Sequence, residues 1–182
     1  MRLSKPRIAP RERADLNEEE LEFMSRFDEP WFNIFKTMAN HPALMRRWLV
    51  FANHVLGKST LPPREREIVI LRIGYLCKAG YEWGQHVLIA RAAGISDEEI
   101  RKIKVGASAP GLSELDRLLL QATDELHADA HVGDATWAGL AEYLSTQQLM
   151  DLVFTVGQYN LVSMALNSFG VQLDPGLPGF DV

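Results

Sequence analysis

The stretch Leu61-Pro62-Pro63-Arg64-Glu65-Arg66-Glu67-Ile68-Val69-Ile70-Leu71-Arg72-Ile73 decides the fold class. Its second half is apolar nearly all round and, read alone, suits a buried strand as well as a buried helix. The first half separates the two. Proline at a helix start wastes no hydrogen bond, because the amides of the first turn have no intrahelical acceptor. Acidic residues just behind it sit where the helix dipole favours negative charge. The stretch is therefore read as a central helix, broken by Gly80.

Outward from it, the apolar spacing is helical in both directions. Asn17 followed by Glu18, Glu19 and Glu20 starts a helix through Leu21, Met24 and Phe27. A second covers Trp31 to Met38. Asn40-His41-Pro42 opens a third, Ala43 to Leu56, closed by Gly57. On the far side, Tyr81 to Ala93 is helical and capped by Gly94. Ser96 and Glu99 form a capping box for a short helix to Val105. Ser113, again with an acid (Asp116) at the third position, caps a helix to His127. Asp134 begins one to Leu144, and the last runs from Thr146 to Phe169, ended by Gly170. Nine helical segments and no strand predict an all-α, single-domain helix bundle over residues 17–169. An irregular N-terminal arm (1–16) and a Pro/Gly-rich tail (170–182) flank it.

A chain of 182 residues that is 47% apolar and 24% charged can bury one sizeable core. The net charge of −5 is spread over both signs, and the five arginines among residues 2–26 are interleaved with acids. Such a chain is a poor partner for nucleic acid, whose affinity comes largely from phosphate neutralisation. No apolar run reaches the roughly 18 residues that a membrane span needs. The polar, Pro-rich stretch Met1 to Arg13 lacks the apolar centre of a secretory signal. A single cysteine, Cys77, excludes an internal disulfide and an intrachain dithiol redox pair. These features point to a cytoplasmic protein.

Three helices carry polar residues on apolar faces. Glu67 shares a face with Ile70, Leu71 and Gly74, so it is expected to be partly buried, and Gly74 leaves room for a neighbouring backbone or a ligand. Pairing with Arg66 or Arg72 would satisfy the carboxylate. Glu82 and His86 are four apart, on a stripe continued by Ile89 and Ala93. A carboxylate beside an imidazole raises its basicity and suits general acid/base work, although a structural pair between helices has the same spacing. On the last helix, Leu149, Val153, Val156, Asn160, Ser163 and Asn167 form one stripe, with Gln158 and Tyr159 beside it. Its asparagines either bond partner helices or line a cavity. His127 and His131, also four apart, lie in an exposed segment and are not read as a metal site.

The residues Leu61 to Glu67, Gly80-Tyr81-Glu82-Trp83-Gly84-Gln85-His86 and Ala90 to Asp97 together resemble the carboxymuconolactone decarboxylase family, which includes the alkylhydroperoxidase D proteins. The segment Gly157 to Asn167 resembles that group's closing helix. In the family's redox branch, a Cys-x-x-Cys pair stands seven and four residues before the histidine. Here those positions hold Ala79 and Glu82, and Cys77 lies two residues too early. The decarboxylase branch places a glutamate where Glu82 stands, and a proton-relay glutamate of the redox branch matches Glu67. The resemblance thus implies a small helical subunit, assembled as a homo-oligomer (trimer or hexamer), needing no metal or organic cofactor. It implies a decarboxylase-like lyase using Glu/His acid–base chemistry on a small-molecule substrate, a carboxylated or lactone-type metabolite of aromatic-compound catabolism, with His86, Glu82 and Glu67 as catalytic residues. Tyr81 and Asn160 are expected to orient the substrate, while Trp31, Trp48 and Phe51 serve a core, an interface or a pocket wall. Two alternatives remain open: a peroxidase-like enzyme using Cys77 alone, and a non-catalytic binding protein on the same scaffold.

Overall fold

A computed structural model describes residues 2–182. Among the described residues there are nine α-helices and no strand: α1 (Glu18–Met24), α2 (Asn33–Met38), α3 (Pro42–Gly57), α4 (Pro63–Leu76), α5 (Gly80–Ala92), α6 (Asp97–Val105), α7 (Glu114–Asp129), α8 (Asp134–Ala141) and α9 (Thr146–Phe169). The all-α expectation holds, including its decisive element.

Helix α4 is the axis of the bundle. It packs against α5, α6, α7 and α9, and every residue from Glu67 to Gly74 is buried. A helix enclosed on all sides must be apolar on all sides, which is why its sequence imitates a strand. Burial of each large side chain along it contributes about 1.5–3 kcal/mol. Two arginines on α4 fix its azimuth. Arg64 forks onto both oxygens of Asp116 on α7, at 2.7 and 2.9 Å, and onto Glu99 of α6 at 2.7 Å. Arg72 forks onto Asp124 of α7, at 2.6 and 2.9 Å, and also donates to the carbonyls of Ile103 and Lys104. Each donor plane meets carboxylates bidentately, so rotation of α4 would break several bonds at once. Hydrogen bonds from Ser96 and Arg64 hold Glu99 down at a pKa of about 2.

Several boundaries differ from the sequence reading. The chain leaves α4 at Lys78, whose φ of 53° is left-handed, and not at Gly80, which is the first residue of α5. The amide of Ala79 bonds to the Gly74 carbonyl and that of Lys78 to Tyr75, closing the helix end. Gly57 lies within the last turn of α3 and has no positive φ. Asn33, not Trp31, begins α2. Ser113 does cap α7, accepting from the Asp116 amide, but no reciprocal bond forms because the Asp116 carboxylate is drawn to Arg64.

Helix α9 also departs from expectation. With 24 residues and a mean hydropathy of 1.2 over its most apolar window, it is long and apolar enough to cross a membrane by length and composition. Half of that window is buried inside the bundle, against α3, α4, α5, α7 and α8. Both flanking segments are tied down. The arm returns to the end of α9 through the Arg7 and Ile8 amides on the Phe169 carbonyl. The tail crosses α5, where Phe180 packs on Trp83 and Tyr75, and Lys104 bonds the carbonyls of Phe180 and Val182. Gly84 makes this crossing possible: a Cβ there would lie 2.8 Å from the Pro178 carbonyl oxygen.

Candidate active site

The α4–α5 hairpin brings the three sequence-predicted acid/base residues together. At Gly74 the two helices meet across the Cβ and Cγ of Glu82, with room for a Cβ at 3.8 Å. That contact sets Glu82 and His86, one turn apart on α5, against Glu67 on α4. Nδ1 of His86 lies 2.6 Å from Oε2 of Glu67, and Nε2 lies 2.9 Å from Oε1 of Glu82. All three side chains are buried: 5%, 0% and 6% exposed for His86, Glu67 and Glu82. The remaining oxygen of Glu67 accepts from Nε of Arg66 at 3.2 Å. Of the two partners foreseen for Glu67, Arg66 is the one used, and Arg72 is committed to Asp124.

With a carboxylate oxygen within 3 Å of each ring nitrogen, the imidazolium, which carries two N–H groups, suits the site. The electrostatics agree. Burial pulls the His86 pKa down, but the charges of Glu67 and Glu82 and their hydrogen bonds outweigh it, raising it to about 9. The cluster therefore holds its proton on His86 at neutral pH, enclosed within the bundle.

One member of this cluster escapes the sequence reading. Tyr159 of α9 sets its ring edge-on to His86, with centroids 4.8 Å apart and planes at 86°. It completes the wall opposite α4. Its position beside the polar stripe was visible, but no spacing rule links it to a histidine 73 residues earlier. Burial, reinforced by Glu82 and Glu67, pushes the phenol pKa well up and keeps it a donor.

The other two expected residues lie elsewhere. Tyr81 turns its hydroxyl to the tail, donating to Asp174 at 2.5 Å and accepting from the Ile34 amide at 3.3 Å. Asn160 accepts from the Cys77 thiol at 3.1 Å. Asn167 donates to the Cys77 carbonyl at 2.9 Å. The stripe of asparagines thus clasps the α4–α5 turn rather than lining a cavity. Cys77 itself is half-buried, with His127 Nδ1 3.9 Å from its sulfur, and burial pushes its thiol pKa up.

An apolar cavity of about 640 Å³ lies on the other side of α9, walled by Ile34, Trp48, Phe51, Phe154 and Phe169. Trp48 and Phe51 are therefore cavity-wall residues, whereas Trp31 belongs to the core under α1–α3. Glu67, Glu82 and His86 do not line this cavity, and no titratable pair converges on it. Among the described residues, no group of three or more His, Cys, Asp or Glu side chains is arranged to hold a metal ion.

Comparison with known proteins places this geometry. No curated protein matches the chain. Among solved structures, a peroxidase-related protein from Silicibacter sp. TM1040 superposes with a TM-score of 0.80 at 16% identity, covering 96% of this chain and 97% of its own. An alkylhydroperoxidase AhpD core, a peroxidase-related protein from Ralstonia eutropha JMP134, gives 0.78 at 18%, covering 93% of each. A putative antioxidant defence protein AhpD from Agrobacterium tumefaciens gives 0.70 at 20%, covering 75% of this chain and 94% of its own. At such identities the likeness is one of fold. Residues 42–125 match the carboxymuconolactone decarboxylase family, and this span holds Arg66, Glu67, Glu82 and His86. The helical bundle agrees with the match of residues 42–125, which span α3 to most of α7, to the carboxymuconolactone decarboxylase family.

Proposed function

We propose that the protein is a cofactor-free lyase that decarboxylates a small, carboxylated or lactone-type metabolite bearing a conjugated carbonyl. The observation that carries this reading is the imidazolium of His86 held between Glu67 and Glu82 in a dry site. Loss of CO2 breaks a C–C bond and leaves its electron pair in the conjugated carbonyl as a dienolate. A carboxylate sheds hydration on entering an enclosed site, which favours this step over the solvated ground state. The dienolate then needs one proton, and His86 supplies it. The bond to Glu82 is the longer of its two, so the substrate displaces Glu82 from Nε2 while Glu67 keeps the ring oriented through Nδ1. Glu67 and Glu82 balance the charge, and a proton taken up from solvent restores the His86 imidazolium after product leaves.

Glu82 stands where thiol-dependent relatives would place a cysteine, and the raised pKa of Cys77 favours the inert thiol. Peroxide chemistry therefore has no support at this site. The apolar residues Met150, Phe154, Leu161 and Met164, each more than half exposed on α9, support self-association into a trimer or hexamer.

The test is turnover by the purified protein of carboxymuconolactone and related unsaturated lactone acids, followed by CO2 release. The expected result is activity that persists in Cys77→Ser and is lost in His86→Ala. Activity retained intact in His86→Ala would overturn the roles assigned. No turnover across the panel would favour a binding protein.

A further inference from the structure

The apolar cavity beside α9 has no part in the acid cluster. Its volume of about 640 Å³ falls in the range of roughly 300–1,000 Å³ typical of small-molecule sites. Helices α2, α3 and α9 supply most of its wall. On α9, Phe154, Gln158, Leu161 and Ala165 line it at steps of four and three residues, with Gly157 among them. Not every member of the wall suits an apolar lining.

Gln158 is 5% exposed and Thr37, on α2, is 4% exposed, and both stand on the cavity wall. Among the described residues, neither the Gln158 amide nor the Thr37 hydroxyl has a hydrogen-bond partner, and both keep surface that a small molecule can reach. Buried amides and hydroxyls in folded proteins are nearly always bonded, because leaving one unpaired is costly. Water held in the cavity would find few other partners on so apolar a wall. Gly157 is the third misfit. It lies in the middle of α9, where glycine weakens a helix. No close approach demands it, since a Cβ there would meet nothing within 4 Å. Its effect is to keep the cavity open beside Gln158.

The wall carries no buried charge. Its one ionisable side chain, Arg47, is exposed and bonds the Ala43 carbonyl. A charged group sunk among Trp48, Phe51 and Phe169 would lose its hydration without gaining a partner. We propose that this cavity is a second ligand site, separate from the acid cluster. It takes a neutral, largely apolar molecule whose hydroxyl or carbonyl group bonds the Gln158 amide, with Thr37 offering a further contact. The site holds its ligand whatever reaction His86 performs. Phe154 and Leu161 both line the cavity and stand exposed on the face that self-association would use, so a second copy docking there would close over it.

The probes are 4-phenylphenol, biphenyl and biphenyl-4-carboxylate, which share one apolar body and differ in its polar group. Each is used to displace N-phenyl-1-naphthylamine, a dye that fluoresces in apolar sites, from the whole chain in its native assembly. The wild type is expected to bind the phenol about tenfold or more tightly than biphenyl, which leaves Gln158 unpaired, and than the carboxylate, which buries a charge. Gln158→Leu should erase most of the preference for the phenol over biphenyl. Gly157→Phe fills the cavity and should abolish binding of all three. Circular dichroism and urea midpoints identify a variant that fails to fold, in which case the other decides. No binding of any probe by the wild type, as when a second copy of the chain fills the cavity, would overturn the proposal. So would a carboxylate or a biphenyl bound as tightly as the phenol, a phenol preference intact in Gln158→Leu, or phenol binding undiminished in Gly157→Phe.

Discussion

Glu67 and His86 are nineteen residues apart in the chain, and their side chains meet at 2.6 Å inside the bundle. His86 separates two buried carboxylates, so removing it leaves Glu82 without its cation and Glu67 with Arg66 alone. We expect His86→Ala to cost about 3–5 kcal/mol of stability, the range for breaking a buried ion pair. Adding Glu82→Gln to that variant should recover part of the loss, because it removes one uncompensated charge. Urea denaturation of the single and double variants measures both. In the enzyme assay, loss of a general acid should lower kcat by about 10²–10⁴-fold.

The same cluster fixes the sign of the pH response. The His86 pKa is raised from 6.5 to about 9, so the folded protein holds this proton more tightly than the unfolded chain. The stabilisation is complete below the unfolded value and is lost as pH rises through about 9. If His86 acts as the acid, kcat falls over that same upper window. Glu67→Gln should move both declines to lower pH. Denaturant midpoints across the alkaline range, with the His86 ring followed by NMR, provide the measurement. A stability that rose through that range would contradict the assignment.

Arg72 should matter more to folding than any surface arginine. It is buried, bonded twice to Asp124 and twice to carbonyls ending α6. Arg72→Met keeps much of the packing and removes the donors. We expect a loss of about 3 kcal/mol, since the carbonyls and carboxylate lose their partner together. Arg91→Met, which breaks an exposed pair with Asp97, should cost less than about 1 kcal/mol. Thermal unfolding of the two variants side by side makes the comparison.

Lys78 offers a change in the opposite direction. It is exposed and left-handed at φ 53°, a conformation that a Cβ makes costly by about 1–2 kcal/mol. Lys78→Gly should therefore raise stability by up to about 1 kcal/mol, after the extra flexibility of the unfolded chain is counted. The midpoint of thermal unfolding should rise by a few degrees.

Lys78 also marks where sequence reading falls short. Starts of helices were legible because their chemistry is local: Asn17 with Glu20 and Ser96 with Glu99 both close reciprocal caps. Ends at Gly94 and Gly170 were legible for the same reason. A lysine forced left-handed by the docking of α5 on α4 carries no such sign, and Gly80 drew the boundary two residues late. Asp116 looked like a capping acid because nothing nearby announced Arg64, 52 residues away. The site divides likewise. Glu82 and His86 share a helix face, so periodicity pairs them. Glu67 stood out independently on the apolar face of its own helix, and the family resemblance joined it to the pair. Tyr159 depends on how α9 lies across α4 and α5, which no periodicity encodes.

That arrangement of α9 has a consequence for how such a protein diversifies. The proton store of Glu67, Glu82 and His86 lies wholly within residues 42–125, on two consecutive helices, while Tyr159 lies outside that span. Chemistry and the ceiling above it are thus written in separate stretches of the chain. Substitutions along one closing helix can reshape what reaches the acid without disturbing the acid, so new substrates are accessible here by exchanging the roof and leaving the hearth alone.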